Sequence, residues 1–144
     1  MSRPDAPILL PQQLPDVMKA LLAVHKAIAP TKLEAGLSHL AALRASQINQ
    51  CGYCVKMHTQ DARAAGETSE RLDRLIVWRH VGDFNPRERA ALAWTEALTH
   101  LDPATDYGPL RAELRAHFSD PEIAALTASI AMINLWNRIQ VANH

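Results

Sequence analysis

Residues 43–58 read LRASQINQCGYCVKMH, and this stretch bears on both the fold class and the chemistry. An apolar pattern with helical spacing leads into it as far as Ile48, and Asn49 and Gly52 then interrupt the pattern. We expect a kink or a new helix start just before Cys54. The stretch therefore predicts two helices that meet at a pair of cysteines.

Cys51 and Cys54 are the only cysteines of the chain, and His58 follows one helical turn after Cys54. At about 100° per residue, the three side chains fall within roughly a 60° arc of one helix face. A thiol nucleophile, a second thiol that traps its oxidised form and a nearby base make a minimal thiol-redox site. From the residues alone, a buried and inert pair and a shared metal ion stay open as alternatives.

Length and composition set the broad class of protein. The chain has 144 residues, a formal net charge of zero and 48% hydrophobic residues. We predict one domain over residues 1–144, in which residues 1–13 form an extended, proline-punctuated arm. The mixed charges argue against nucleic-acid binding, and no apolar run approaches the roughly 20 residues that a membrane span needs. Two cysteines and no recognisable secretory signal favour a cytoplasmic protein.

Nearly every boundary signal in the sequence is a helix signal, and no segment alternates like a strand. The fold class is therefore predicted to be all-α. We expect a helix from Leu14–Pro15 to just before Pro30, a capping box from Thr31 to Glu34, a stop at Gly66, and further starts near Ser69, Asn85, Tyr107 and Asp120.

A weak internal similarity suggests a duplicated architecture. Ser46-Gln47-Ile48-Asn49 resembles Ala131-Met132-Ile133-Asn134, and each follows an apolar helix. In this alignment Trp136 takes the place of Cys51. A second copy of the motif would thus have lost the chemistry.

Several other residues invite a functional interpretation. His39 lies twelve residues before Cys51 and reaches the thiols only if its helix packs beside the cysteine turn. Tyr53 is expected to project away from the site and pack elsewhere. The three tryptophans are interpreted as core or subunit-interface anchors, and the histidines other than His39 and His58 as surface or half-buried helix residues.

The stretch from Leu43 to His58 resembles the core motif of the alkylhydroperoxidase D-like (AhpD-like) proteins of the carboxymuconolactone decarboxylase superfamily. The similarity continues through residues 59–67, 88–97 and 133–138. This resemblance implies an all-helical fold that assembles as a homotrimer or homohexamer. It also implies reduction of peroxides, or transfer of electrons from a lipoyl-type dithiol to a peroxiredoxin, without a cofactor.

The resemblance also assigns roles to four residues. Cys54 would attack the peroxide, Cys51 would resolve the resulting sulfenic acid, and His58 would assist deprotonation. The family relay uses a glutamate twelve residues before the first cysteine, and His39 stands at that position here. This departure keeps a proton carrier and leaves the details of the relay open.

Two other functions compete with a thiol peroxidase or disulfide reductase. One is a structural zinc module that uses Cys51, Cys54, His58 and His39, although only three of these are locally clustered. The other is a decarboxylase or lyase of the same superfamily that works without redox thiols. The intact cysteine pair argues against this second alternative.

Overall fold

The computed structural model describes residues 3–29, residue 31 and residues 33–144. All of the regular secondary structure in this part of the chain is helical and none is strand, which confirms the predicted fold class. A 3-10 helix, Leu75–His80, directly follows α5. The α-helices are α1 (Leu10–Gln13), α2 (Pro15–Ile28), α3 (Ala35–Ile48), α4 (Gly52–Ala64), α5 (Ser69–Arg74), α6 (Pro86–His100), α7 (Tyr107–Arg115) and α8 (Asp120–Val141).

Helix α3 lies at the centre of the molecule and is buried on two sides. Leu37 and Ala41 pack into a cluster that also takes side chains from α6, α7 and α8. Leu40 and Leu43 pack into a second cluster with α4, α5, the 3-10 helix and α6. Because both faces are apolar, α3 lacks the polar stripe of a surface helix. The cysteine motif follows directly from this fixed central element.

The starts of α6 and α8 are capping boxes. At α6, Asn85 Oδ1 accepts the Glu88 N–H at 2.8 Å, and the Glu88 carboxylate accepts the Asn85 N–H at 3.0 Å, as the sequence predicts. At α8, Ser119 rather than Asp120 is the N-cap, and it forms the box with Glu122. The helix start predicted near Asp120 is confirmed, and the N-cap lies one residue before it because the reciprocal bonds require a spacing of three.

The capping box predicted at Thr31 is wrong. Helix α3 begins at Ala35 with Glu34 as its N-cap, and the Glu34 side chain makes no capping bond. Its carboxylate instead binds the Arg87 guanidinium through two hydrogen bonds of 2.8 Å. Those bonds also hold the pKa of Glu34 below its usual value. The Glu34 carboxylate therefore binds an arginine of α6 instead of the backbone N–H groups at the start of a helix.

The N-terminal arm is less extended than predicted, because α1 forms a helical turn within it. Helix α2 ends at Ile28, as predicted, and Pro30 lies outside the described residues. No residue of α2 is buried, although Val17 and Leu22 are among its apolar side chains. Within the part of the chain that the structure describes, no helix is both long and apolar enough to cross a membrane.

Candidate active site

Helix α3 ends in a Schellman turn that delivers the chain to the cysteine motif. The Cys51 N–H donates to the Ser46 carbonyl at 3.1 Å, and the Gln50 N–H donates to the Gln47 carbonyl at 3.2 Å. Gln50 has a φ of 54°, which is the left-handed conformation that this turn requires. Helix α4 then begins at Gly52, which confirms the new helix start predicted just before Cys54.

Buried polar side chains attach this turn to α8. Asn137 Nδ2 donates to Ser46 Oγ at 3.0 Å. Asn49 Nδ2 donates to the side-chain oxygens of Asn134 and Asn137, each at 2.9 Å. Ser46 and Asn137 are fully buried, so their polar atoms rely on these partners. The Ser-x-x-Asn sequence before the cysteines therefore has a structural role, which is to fix the turn against the last helix.

Cys51 and Cys54 form a disulfide with a Cα–Cα distance of 5.3 Å. Cys51 is not on the helix face that the sequence predicts, because it is the N-cap of α4 and has extended backbone angles. Its sulfur accepts the Cys54 N–H at 3.3 Å. Cys54 lies in the first turn of α4 with its backbone N–H directed at the partner sulfur.

A cavity of about 410 Å³ lies beside the disulfide, between α2, α3, α4 and α8. Cys54 is the cysteine that lines it. Most of the wall is apolar. The lining residues are Met18, Leu22, His25, Ser38, His39, Ala42, Tyr53, Cys54, Met57, His58, Ser129, Ile133, Trp136 and Gln140.

His39 and His58 face each other within this cavity, with ring centroids 6.2 Å apart. His58 Nδ1 is buried and has no hydrogen-bond partner among the described residues. Burial is the main cause that lowers the pKa of His58 below 6.5, and His39 and His25 add to the effect. Asp61, whose Oδ2 lies 4.0 Å from His58 Nδ1, acts in the opposite direction. The neutral imidazole, a proton acceptor, is therefore the favoured form of His58.

The structure thus brings together the four residues singled out in the sequence: Cys51, Cys54, His58 and His39. In this structure the two sulfurs are bonded to each other, and the disulfide form of the pair does not ligate zinc. The cluster of possible metal ligands in the described residues is instead His39, His58 and Asp61.

Three residues of the cavity wall were not predicted. The Trp136 indole N–H donates to His25 Nε2, and the two rings are inclined by only 13°. Trp136 was expected to be a core or interface anchor, as the buried Trp78 and Trp94 are. Tyr53 was expected to point away, but it lines the cavity while 60% exposed. The contact between α2 and α8 joins residues that are far apart in the sequence, so no local sequence pattern predicts it.

Comparison with known proteins identifies the family. Residues 15–97 match the model of the carboxymuconolactone decarboxylase family. The chain belongs to the carboxymuconolactone decarboxylase family. The chain is also 33% identical over 128 residues to the uncharacterized protein YdfG of Bacillus subtilis, which covers 89% of this chain and 87% of YdfG.

Similarity to solved structures shows that this chain is an AhpD-like member of the family. A protein of unknown function from Agrobacterium tumefaciens, named as a candidate antioxidant defence protein AhpD, is 37% identical. It superposes with a TM-score of 0.89 over 96% of this chain and 94% of its own. The debrominase Bmp8 is 25% identical with a TM-score of 0.76, over 89% of this chain and 69% of its own. Members of this family are enzymes, and the reactions for which they are named differ.

Proposed function

We propose that this protein is a thiol-dependent peroxidase or disulfide reductase whose redox centre is Cys51 and Cys54. One observation carries the proposal: of two cysteines joined as a disulfide, Cys54 lines an apolar cavity in which His58 and His39 also lie. A cysteine at the wall of a cavity that a buried imidazole also lines is the arrangement that a nucleophilic thiol needs.

In the first step, the reduced Cys54 attacks the peroxide. Neutral His58 takes the proton of the Cys54 thiol, and the thiolate attacks one peroxide oxygen. An S–O bond forms and the O–O bond breaks, so that Cys54 becomes a sulfenic acid. The leaving alkoxide takes the proton from His58 and departs as an alcohol. The lowered pKa of His58 supports this role, because the imidazole is already free of its proton at neutral pH.

In the second step, Cys51 closes the disulfide. Its thiol sulfur attacks the Cys54 sulfenic acid and an S–S bond forms as the S–O bond breaks. The hydroxyl group takes the proton of the Cys51 thiol and leaves as water. The N-cap position of Cys51 supports this role, because the Cys54 N–H and the start of α4 stabilise a thiolate there. The same feature helps the return step. One thiolate of an external dithiol attacks Cys54 from the cavity, and Cys51 is the better leaving thiolate. The second thiol of the reductant then attacks the mixed disulfide, closes its own disulfide and releases Cys54 as a thiol.

Neither step requires a bound cofactor, because the electrons come from the thiols. The reductant that we propose is a lipoyl-type dithiol, and the recipient of electrons that we propose for the reductase mode is a peroxiredoxin. We place this chemistry in the cytoplasm, where reducing conditions return the pair to thiols.

A homotrimer or homohexamer is part of the proposal. Helix α2 exposes apolar side chains without burying any residue: Leu22 is 51% exposed, and Leu14, the N-cap that precedes the helix, is 52% exposed. Exposed apolar side chains of this kind support assembly, because a second subunit would remove them from water.

The redox cycle can be tested by mass spectrometry. The fully reduced protein is treated with an equimolar amount of cumene hydroperoxide and then with dihydrolipoamide. We expect the chain to lose a pair of hydrogen atoms with the peroxide and to regain them with the dithiol. Cys54→Ser should no longer consume peroxide. A folded wild-type protein whose two thiols both stay free after peroxide treatment would contradict the proposal.

A further inference from the structure

Three side chains with metal-binding groups meet beside the cavity. His39 comes from α3, and His58 and Asp61 come from successive turns of α4. One ligand atom from each residue lies within 4.8 Å of those of the other two. The two cysteines take no part in this cluster, since they are bonded to each other.

We propose that His39, His58 and Asp61 bind one divalent first-row transition-metal ion, for which Zn²⁺ is the probe. A site with two imidazoles and one carboxylate favours such ions over Mg²⁺ and Ca²⁺, which are bound mainly through oxygen ligands. Three protein ligands form an open site, with coordination positions left for water or another small ligand.

The geometry needs only a small adjustment to hold an ion. Zn–N and Zn–O bonds of about 2.0–2.2 Å at tetrahedral angles put ligand atoms roughly 3.4 Å apart. Because no two of these ligand atoms are more than 4.8 Å apart, each distance must shorten by at most about 1.4 Å. Rotation of the Asp61 side chain, which is 48% exposed, can supply much of that movement.

The buried nitrogen of His58 supports the site independently of these distances. His58 Nδ1 is shielded from solvent and has no hydrogen-bond partner among the described residues, which is rare for a buried polar atom. Asp61 Oδ2 is 4.0 Å from this nitrogen, which is beyond a hydrogen bond. A metal ion between the two would give the nitrogen a partner and would offset the negative charge of the carboxylate.

Binding of the ion would oppose the thiol chemistry. His39 and His58 both line the cavity, so an ion bound to them would lie at its wall. The ion would also occupy a nitrogen of the imidazole proposed to accept the Cys54 proton. We therefore expect Zn²⁺ to slow the reaction of reduced Cys54 with peroxide. This consequence depends on the proposed function, but the binding site does not.

The site is tested by calorimetric titration of Zn²⁺ into the oxidised protein, in which the cysteines cannot ligate. We expect saturable binding of one ion per chain. Asp61→Asn and His39→Phe should each weaken binding by at least about tenfold, the scale on which even supporting residues of metal sites act. His39→Glu should retain binding, because it supplies a carboxylate. His100→Ala, on the exposed end of α6, is the control and should change nothing.

Co²⁺ provides a second readout that does not depend on binding heat. Its visible absorption should appear with the oxidised protein, without a thiolate-to-metal charge-transfer band, and should be lost in Asp61→Asn. Absence of saturable binding would overturn the inference. So would binding that is unchanged in both Asp61→Asn and His39→Phe, or binding that appears only after reduction and disappears in Cys54→Ser.

Discussion

Asn137→Ala is the substitution that probes how the fold holds the cysteine turn. Asn137 is fully buried on α8 and makes two hydrogen bonds to the end of α3, one with Ser46 and one with Asn49. Each such bond contributes about 1 kcal/mol. Ser46 and Asn49 keep other partners, Ala42 and Asn134, so no orphaned group adds to the loss. We therefore expect the free energy of unfolding to fall by about 2 kcal/mol.

Urea denaturation of the oxidised protein, followed by circular dichroism, measures this loss. With a urea slope of about 2 kcal/mol per M for a domain of this size, the midpoint should drop by about 1 M. A double-mutant cycle with Ser46→Ala should give a coupling energy of about 1 kcal/mol for the bond that joins the two side chains. Gln60→Ala, an exposed amide on α4, is the matched control and should stay within about 0.5 kcal/mol of wild type. If Asn137→Ala is as stable as that control, the network does not hold the turn.

Other predictions concern the histidines and the assembly. Because burial lowers the pKa of His58, the acid limb of the peroxidase pH profile should lie below pH 6.5, and His58→Ala should be slow even at neutral pH. The neutral imidazole also contributes stability that is present above about pH 6.5 and is lost as the pH falls, because the unfolded chain takes up the proton first. The pH profile of the peroxidase rate and the pH dependence of the stability are both measured with a chelator present. His39→Glu should retain or improve the peroxidase rate, whereas His39→Ala should lower it modestly, and equal rates in wild type and His39→Ala would remove His39 from the relay. Light scattering should give the mass of a trimer or a hexamer, and a monomer at micromolar concentration would refute the assembly.

The sequence predicts those parts of the fold that depend on local signals. Asn85 and Glu88 form their capping box because both partners lie within one turn. Gly66, with a φ of 102°, ends α4 because few other residues adopt that conformation. The box at Thr31 has the same sequence form and still fails, because Arg87, 53 positions away from Glu34, binds its carboxylate. A competing partner so distant in sequence leaves no trace in the local pattern.

The candidate site divides in the same way. The spacing of Cys51, Cys54 and His58 was enough to predict that they form one cluster. His39 needed the packing of α3 against α4, which the sequence could only suggest. The contact of His25 with Trp136 joins residues 111 positions apart and escaped prediction altogether. The N-cap role of Cys51 was also missed, because a helical arc assumes that every residue in it is helical.

The division of labour between the two thiols is tested by trapping the first oxidised species. Cys51→Ser is reduced, treated with an equimolar amount of cumene hydroperoxide in the presence of a sulfenic-acid-specific reagent, and analysed by peptide mass spectrometry. We predict that the label appears on Cys54, because this residue lines the cavity and its resolving partner is missing. In parallel, Cys54→Ser should consume no peroxide. A Cys54→Ser protein that still consumes peroxide and carries the label on Cys51 would contradict the account.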